Sequence, residues 1–519
     1  MKKLATLILL IMSVVTTLSA QNIIFPEPAE QKTEEGQFIL GRNLVVKGNC
    51  PYAKELAKDL NEEIKDSPYR TAKTKSKIVF RLETDTEMKP EEYAIRIHNN
   101  KIDALASSKS GLFYAYQTVR QLFLFNDGKI QNSYIHDYPR YKWRGFMLDV
   151  SRHFFGKEKV MQYLDFMAML HLNIFHWHLT DSQGWRIEIK KYPELTRKGG
   201  IGNWHDPEAP AEFYTQEDIR EIVEYASERH ITIVPEIDTP GHCSAIYRAY
   251  PEYAIHNENG SSLNPCSEKT FRLIDDIFTE LSELFPGGYI HIGGDEVSQK
   301  SWKTDPEVLN FMKERGYGYF SEVGRNFTRR IVDIVASKGK TAIAWDEAAD
   351  AGVSPEKLII DWWRVRPMNE GNPLYKTATH GYRLIMTPRV PMYGDYVQED
   401  FHKIGRRIKG DVNHIDEVYA FPDPMTGVLK EHENQIMGMQ MNMWTDLVGN
   451  QDRLDYMSFP RIVAAAESAW SSKEVKDYNR FMQKLPAFLE YLDAKGIHYY
   501  NPLNPDSTPE PETPAKVKG

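Results

Sequence analysis

The stretch TQEDIREIVEYASERHITIVPEID, residues 215–238, changes its period part-way. Up to His230 the apolar residues recur at helical spacing; from Ile231 a short β-branched run begins, and it ends in acids, Glu236 and Asp238. A helix feeding a buried strand with a polar exit is the unit from which α/β folds are built.

Working outward, the same kind of strand is predicted at GFMLDVS (145–151), NIFHWHLTD (173–181), YIHIGGDE (289–296), TAIAWDE (341–347), KLIIDWW (357–363), YRLIMTP (382–388) and IMGMQMNMW (436–444). Helical patterns such as KEKVMQYLDFMAML and YFSEVGRNFTRRIVDIVASKG separate several of them. Eight strands with such crossovers predict a (β/α)8 TIM barrel over residues 138–500. An open doubly wound sheet fits less well, because no glycine-rich nucleotide loop follows the first strand and GGDE has the wrong spacing for one.

Residues 21–137 have a different character. Strand-like runs (QFILGRNLVV, SKIVFRLE, YAIRIHNNKIDALA) alternate with helical ones (YAKELAKDLNEEI, GLFYAYQTVRQLF), which predicts a small α+β domain. Residues 1–20 carry two lysines, an apolar run and a small-residue cleavage site at Leu18-Ser19-Ala20, the pattern of a secretory signal peptide. Export is therefore expected, to the periplasm or the extracellular space, with no membrane span in the mature chain. The proline-rich end, residues 501–519, is expected to be a flexible tail.

Hydrophobic residues at 41% and charged residues at 26% suit a soluble globular protein. A formal net charge of −9 argues against a nucleic-acid partner, which favours a basic surface. Cys50, Cys243 and Cys266 are too few for a disulfide framework; Cys243 and Cys266 pair or remain buried thiols. Neither their spacing nor that of the histidines resembles a zinc site.

In a barrel the C-terminal strand ends surround the site. Here they read Asp149 and Arg152; His176, His178 and Asp181; Glu236, Asp238 and His242; Asp295 and Glu296; Trp345, Asp346 and Glu347; Asp361, Trp362 and Trp363; then Trp444 and Asp446. Any one of these has an ordinary structural role open to it: Asp149 as an ion pair with Arg144 or Arg152, the histidines as packing. The accumulation of acids and indoles suits carbohydrate cleavage, since indole faces stack on pyranose rings and carboxylates bind hydroxyls and supply general acid catalysis. If the strand continues through Asp295 and Glu296, their side chains diverge, one toward the glycosidic oxygen and one toward another part of the same sugar. A two-metal hydrolase would also cluster acids, but tryptophans are poor neighbours for its ions. A noncatalytic carbohydrate-binding protein would explain the indoles and leave the adjacent acids without a purpose.

These residues carry a likeness. WRGFMLDVSRHFF, LNIFHWHLTDSQGWRIEIKKYPELT, VPEIDTPGH, YIHIGGDEV, AIAWDEA and MNMWTDLV resemble the β-N-acetylhexosaminidases of glycoside hydrolase family 20, paired-domain layout included. The resemblance implies exo-acting, retaining hydrolysis of terminal β-linked N-acetylglucosamine or N-acetylgalactosamine, in which the substrate's own acetamido group attacks the anomeric carbon and no metal or organic cofactor takes part. It makes Glu296 the acid and base, Asp295 the partner of the acetamido N–H, and His242 with Asp181 their supporting pair. It makes Arg144 the holder of the C3 and C4 hydroxyls. Trp345, Trp363 and Trp444 become pocket walls, Tyr393 a donor to the acetamido carbonyl, and Asp395 and Asp446 acceptors for sugar hydroxyls.

Two departures stand out: Ser182 in TDSQGW, where relatives often carry a second acid, and Asp446, where many carry glutamate. Arg364 and Arg366 are either solvated arginines or a site for an anionic substituent such as a 6-sulfate. A relative that releases a disaccharide such as lacto-N-biose would share the same acid pair. The expected partners are glycans ending in β-N-acetylhexosamine.

Overall fold

The structure is a computed structural model that describes residues 21–70, 72–258, 260–365, 373–423 and 428–517; the expected leader and Arg366 lie outside the described residues. The described residues divide into two units, one formed by residues 21–24 and 28–138, the other by residues 25–27 and those from 139 to 517.

The first unit is a six-stranded sheet. Its strands are β1 (Glu30–Phe38), β2 (Gly41–Gly48), β3 (Ala72–Leu82), β4 (Tyr93–His98), β5 (Lys101–Ala106) and β6 (Ile130–Asp137), in the order β1-β6-β4-β5-β3-β2. Alternation is plain in β4 and β5, where every second side chain is buried. Among the described residues two helices complete the unit. Pro51–Ile64 is capped by Cys50, whose sulfur accepts from Ala53 N, and Lys109–Phe125 by Ser108, whose hydroxyl accepts from Gly111 N at 3.0 Å.

The second unit is the barrel. Strands β7 (Trp143–Asp149), β8 (Ile174–His178) and β9 (Thr232–Glu236) are followed by a small hairpin, β10 (Ala254–Asn257) and β11 (Gly260–Leu263). The remaining barrel strands are β12 (Tyr289–His291), β13 (Thr341–Trp345), β14 (Leu358–Trp362), β15 (Arg383–Met386) and β16 (Ile436–Met443). The eight barrel strands are all parallel, and β16 pairs back onto β7 from Gly438 opposite Trp143 to Met443 opposite Leu148. All eight lie where the sequence predicts them. The helix Gln216–Glu228 begins at a capping box of Thr215 and Asp218 and buries Ile219, Ile222 and Ala226. Among the described residues no helix is long and apolar enough to cross a membrane.

The barrel interior is layered. Trp143, Ile174, Val234, Ile343, Ile359 and Ile385 form an apolar base, with Tyr289 and Met437 against it, so that each strand contributes one side chain. Toward the C-terminal end the interior becomes polar, with His176, Glu236, His291, Asp361, Gln440 and Asn442 all buried.

Two expectations change, and the open choice for the two buried cysteines is settled. β12 ends at His291, so Asp295 and Glu296 stand on a loop and not on a continuing strand. Cys243 and Cys266 are free, buried thiols, and Cys243 Sγ faces Pro240 O at 3.2 Å. The segment after 500 is no loose tail. Its prolines exclude long regular elements, yet Glu510 accepts the N–H groups of Lys403 and Ile404 at 2.8 and 3.0 Å, and Val517 N donates to His205 O at 2.7 Å.

Candidate active site

Glu236, at the end of β9 and fully buried, is the hub of the polar layer. It accepts from His176 Nε2 (2.9 Å), His178 Nδ1 (2.6 Å) and Trp345 Nε1 (3.0 Å), while His291 Nδ1, which accepts from Gly293 N at 3.1 Å, lies 3.0 Å away; these side chains come from three other strands. Burial alone would push Glu236 up; the charge of His178 and His291 and the histidine hydrogen bonds overcome that and hold it well below the usual carboxylate range. His178 is correspondingly held well above the imidazole range, against burial, by Glu236 on one nitrogen and Asp181 on the other at 3.2 Å. His176, Glu236 and His291 bring ligand-type atoms close together, but Glu236 is already hydrogen-bonded to His176 and His291 Nδ1 already accepts from Gly293 N, and a cation would have to displace those bonds.

Asp181 leads outward from this hub. It pairs with Arg152 Nη2 at 2.6 Å and faces His242 Nδ1 at 3.2 Å. Although burial opposes ionisation, Arg152 and His242 hold its carboxyl well below its ordinary value. The other nitrogen of His242 lies 3.7 Å from Asp295 Oδ2 and 3.8 Å from Glu296 Oε2, between the two acids. Asp295 is largely buried and Glu296 is exposed, with side-chain exposures of 15% and 63%.

The loop that carries the acids is built by local backbone chemistry. Gly293 has φ +67°, and a Cβ there would fall 1.8 Å from Asp238 Oδ1, so only glycine admits Asp238 beneath the loop. Asp238 accepts from Gly294 N at 3.0 Å. Burial and the neighbouring Asp295 push it well above the usual range. His242 and Glu296 themselves adopt φ of +48° and +49°, a left-handed backbone that costs energy in non-glycine residues and is characteristic of functional sites.

Aromatic side chains form the adjoining wall. Trp345, Trp444, Tyr393, Tyr396 and Met147 cluster with Trp363 packed on them; ring centroids lie 5.9 Å apart for Trp345 and Trp444 and 6.1 Å apart for Tyr393 and Trp444. Trp363 joins this wall, whereas Trp362 turns its indole N–H to Arg364 O at 2.8 Å. Arg152 lies over the Trp444 ring at 4.8 Å and also contacts Asp149 Oδ2 at 3.3 Å. Asp395 and Asp446 are bridged by Arg406, whose Nε donates to Asp395 Oδ2 at 2.7 Å and Nη2 to Asp446 Oδ2 at 3.0 Å. Burial pushes Asp395 up to about 6 despite Arg406.

Two expected residues are placed differently. Arg144 is second in β7, at the N-terminal end of the barrel, and is fully buried. Its guanidinium donates to His171 O (2.7 Å) and Tyr141 O (2.8 Å) and lies 4.9 Å from the Trp470 ring, so it cannot reach a sugar at the other end of the strand. The cation at the mouth is Arg152. Arg364 is not an unpaired anion receptor: it binds Asp346 through Nε at 2.5 Å and lies 3.5 Å from Glu347. Glu236 and Arg152 were recognisable as strand-end residues. Nothing local in the sequence singled out Arg406.

Models of family 20 match both parts of the chain: the glycosyl hydrolase family 20 catalytic domain over residues 141–473 and its domain 2 over 21–138. The chain belongs to glycosyl hydrolase family 20. It is 31% identical over 510 residues to a beta-hexosaminidase of Porphyromonas gingivalis, covering 92% of this chain and 64% of that protein. It is 33% identical over 484 residues to the beta-hexosaminidase of Vibrio furnissii, covering 87% and 77%. Against the first of these it spans less than two thirds of the relative's length. Among solved structures, this family 20 chain superposes on an exo beta-N-acetylglucosaminidase of Vibrio harveyi in complex with N-acetylglucosamine, with TM-score 0.82, 29% identity, and 93% and 79% of the two chains covered. A Streptomyces plicatus beta-hexosaminidase mutant in complex with product (GlcNAc) gives TM-score 0.79 and 29% identity, covering 93% and 97%.

Proposed function

We propose that this family 20 protein is an exo-acting, retaining β-N-acetylhexosaminidase that cleaves terminal β-linked N-acetylglucosamine or N-acetylgalactosamine with assistance from the substrate. The observation that supports it most is the placement of His242 between Asp295 and Glu296, beside a wall of three indoles and a tyrosine.

On this reading the aromatic wall receives the sugar ring and its acetamido methyl. Asp295 accepts the acetamido N–H, orients the carbonyl oxygen toward C1 and stabilises the positive charge that grows on the amide. The carbonyl oxygen bonds to C1 as the glycosidic C–O bond breaks, and Glu296 gives its proton to the departing oxygen. Water then attacks C1 of the oxazolinium, Glu296 takes its proton, the C1–O bond to the amide breaks, and the sugar leaves with its configuration retained. Tyr393 donates to the acetamido carbonyl. Arg152, in the place expected of Arg144, and the bridged acids Asp395 and Asp446 read the ring hydroxyls. Next to Glu296 a cavity of about 370 Å³, bordered by Glu347, Arg325, Thr328 and Arg364, offers polar room for the leaving sugar.

A panel of aryl glycosides tests the reading: N-acetylglucosaminide and N-acetylgalactosaminide should be hydrolysed and the glucoside, which lacks the amide, should not. Rapid cleavage of the glucoside would overturn it. Residues 1–20 support export, and amino-terminal sequencing of the protein recovered from its native source checks cleavage after Ala20.

A further inference from the structure

The two carboxylates proposed to read the sugar hydroxyls come from different strand exits, Asp395 after β15 and Asp446 after β16, and Arg406 joins them through two nitrogens. Without a cation between them, two nearby carboxylates would repel and splay. The guanidinium fork instead fixes both planes, and Asp395 Oδ1 is left buried with no hydrogen-bond partner among the described residues, an acceptor lacking a donor.

Arg406 is itself held by the loop in front of it. Its N–H donates to Asp395 O at 2.9 Å and its carbonyl accepts from Val397 N at 3.3 Å. Gly405 has φ +144°, and a Cβ there would come within 2.7 Å of Val397 Cγ1, so the loop lies flat against the Asp395–Val397 segment.

What holds the loop is the C-terminal segment. The Glu510 carboxylate accepts both Lys403 N and Ile404 N, one oxygen each. Fully buried Arg453 stitches the same place from the other side: it donates to Ile404 O and, at 3.2 Å, to Pro511 O, and it pairs with Glu510 at 2.9 Å. Asn450, four residues after Asp446, adds a bond from its Nδ2 to Glu512 O at 2.9 Å.

We propose that Glu510 is a positioning residue for sugar recognition: from the C-terminal segment it fixes the 403–406 loop so that Arg406 presents Asp395 and Asp446 as one rigid pair of hydroxyl acceptors. This rests on the reading that those two acids face the bound sugar.

The test is steady-state kinetics of the full-length protein and its variants Glu510→Ala, Glu510→Gln, Arg406→Ala and the Glu510→Ala/Arg406→Ala double, each checked by thermal unfolding. The substrates are an aryl β-N-acetylglucosaminide, its 4-epimer and its 6-deoxy analogue. Glu510→Ala should raise KM by about tenfold, the size of one charged hydrogen bond, with kcat within about twofold. Glu510→Gln, which keeps one acceptor, should recover part of the loss. At least one of the two altered sugars should feel the substitution less than the parent sugar does, because it already lacks a correctly placed hydroxyl. The double variant should be no worse than Arg406→Ala alone, since both act through one element. If Glu510→Ala does not fold, the same comparison is read from Glu510→Gln. Unchanged KM in a folded Glu510 variant, an equal loss on all three substrates, or additive effects in the double variant would each overturn the proposal alone. A parent protein with no activity on any N-acetylhexosaminide would overturn the functional reading and this proposal with it.

Discussion

His242 faces Asp181 Oδ1 through Nδ1 at 3.2 Å, and that contact turns its other nitrogen toward the acid pair. Burial disfavours a charged ring, but Asp181 and Asp295 prevail and hold His242 well above the ordinary imidazole range. Asp181→Asn removes the nearer charge without emptying the site. The His242 pKa should fall, seen by NMR titration of its ring proton, and kcat should drop roughly 10–100-fold, a fraction of a full general-acid contribution, while KM changes little. An unmoved histidine titration would show that Asp181 does not govern it.

Asp295 and Glu296 are adjacent in sequence and different in environment, the first mostly buried and the second open to solvent. Their variants should therefore fail differently. Glu296→Gln should lower kcat about 10²–10⁴-fold on a natural glycosidic bond and much less on an aryl glycoside whose leaving group needs no proton. Asp295→Asn should cost about 10²–10³-fold on both, because the acetamido group is mispositioned whatever leaves. Hydrolysis of a disaccharide alongside a nitrophenyl glycoside separates the two patterns.

The barrel was legible because each strand announces itself as a short apolar run with a polar exit, and the layer from Trp143 to Ile385 repeats that logic in space. The acid pair was legible as residues and not as geometry. The apolar run YIHI suggests a strand through Asp295, but the positive φ at Gly293 and Gly294 ends it, and the need for glycine there comes from Asp238, 55 residues earlier than Gly293. Arg406 and Glu510 were not legible. Their contacts reach across the chain to Asp395, Asp446 and Ile404, and no periodicity records such pairings.

Arg144 and Arg152 separate position from resemblance. Arg144 is buried at the barrel base against two backbone carbonyls, while Arg152 stands at the mouth against Asp149 and Asp181. Arg144→Gln should destabilise the fold by about 2–4 kcal/mol, the loss of charged hydrogen bonds in a buried setting, with KM unchanged. Arg152→Gln should raise KM at least roughly tenfold and lower kcat as well, because it also loosens Asp181. Thermal unfolding and kinetics on the same samples decide it; a KM effect from Arg144→Gln would restore that residue to the sugar site.

Glu347 offers a pH test of the wall beside Glu296. Burial, and then repulsion from Asp346, push its carboxyl from an ordinary 4.5 up to about 8, with the Trp363 indole N–H on Oε2 at 3.2 Å. The native state thus binds a proton that the unfolded chain has already released between about 4.5 and about 8. A raised carboxyl works against folding as it is forced to ionise, so its contribution to stability declines as pH rises through that window and becomes constant above it. Glu347→Gln keeps an acceptor for Trp363 and has no proton to lose. The melting temperature of the variant minus that of the parent should therefore increase from about pH 5 to about pH 9, whatever its sign at the start. Thermal unfolding of both proteins across that range measures the slope, and a flat difference would mean that Glu347 ionises in the folded protein as readily as in the unfolded chain.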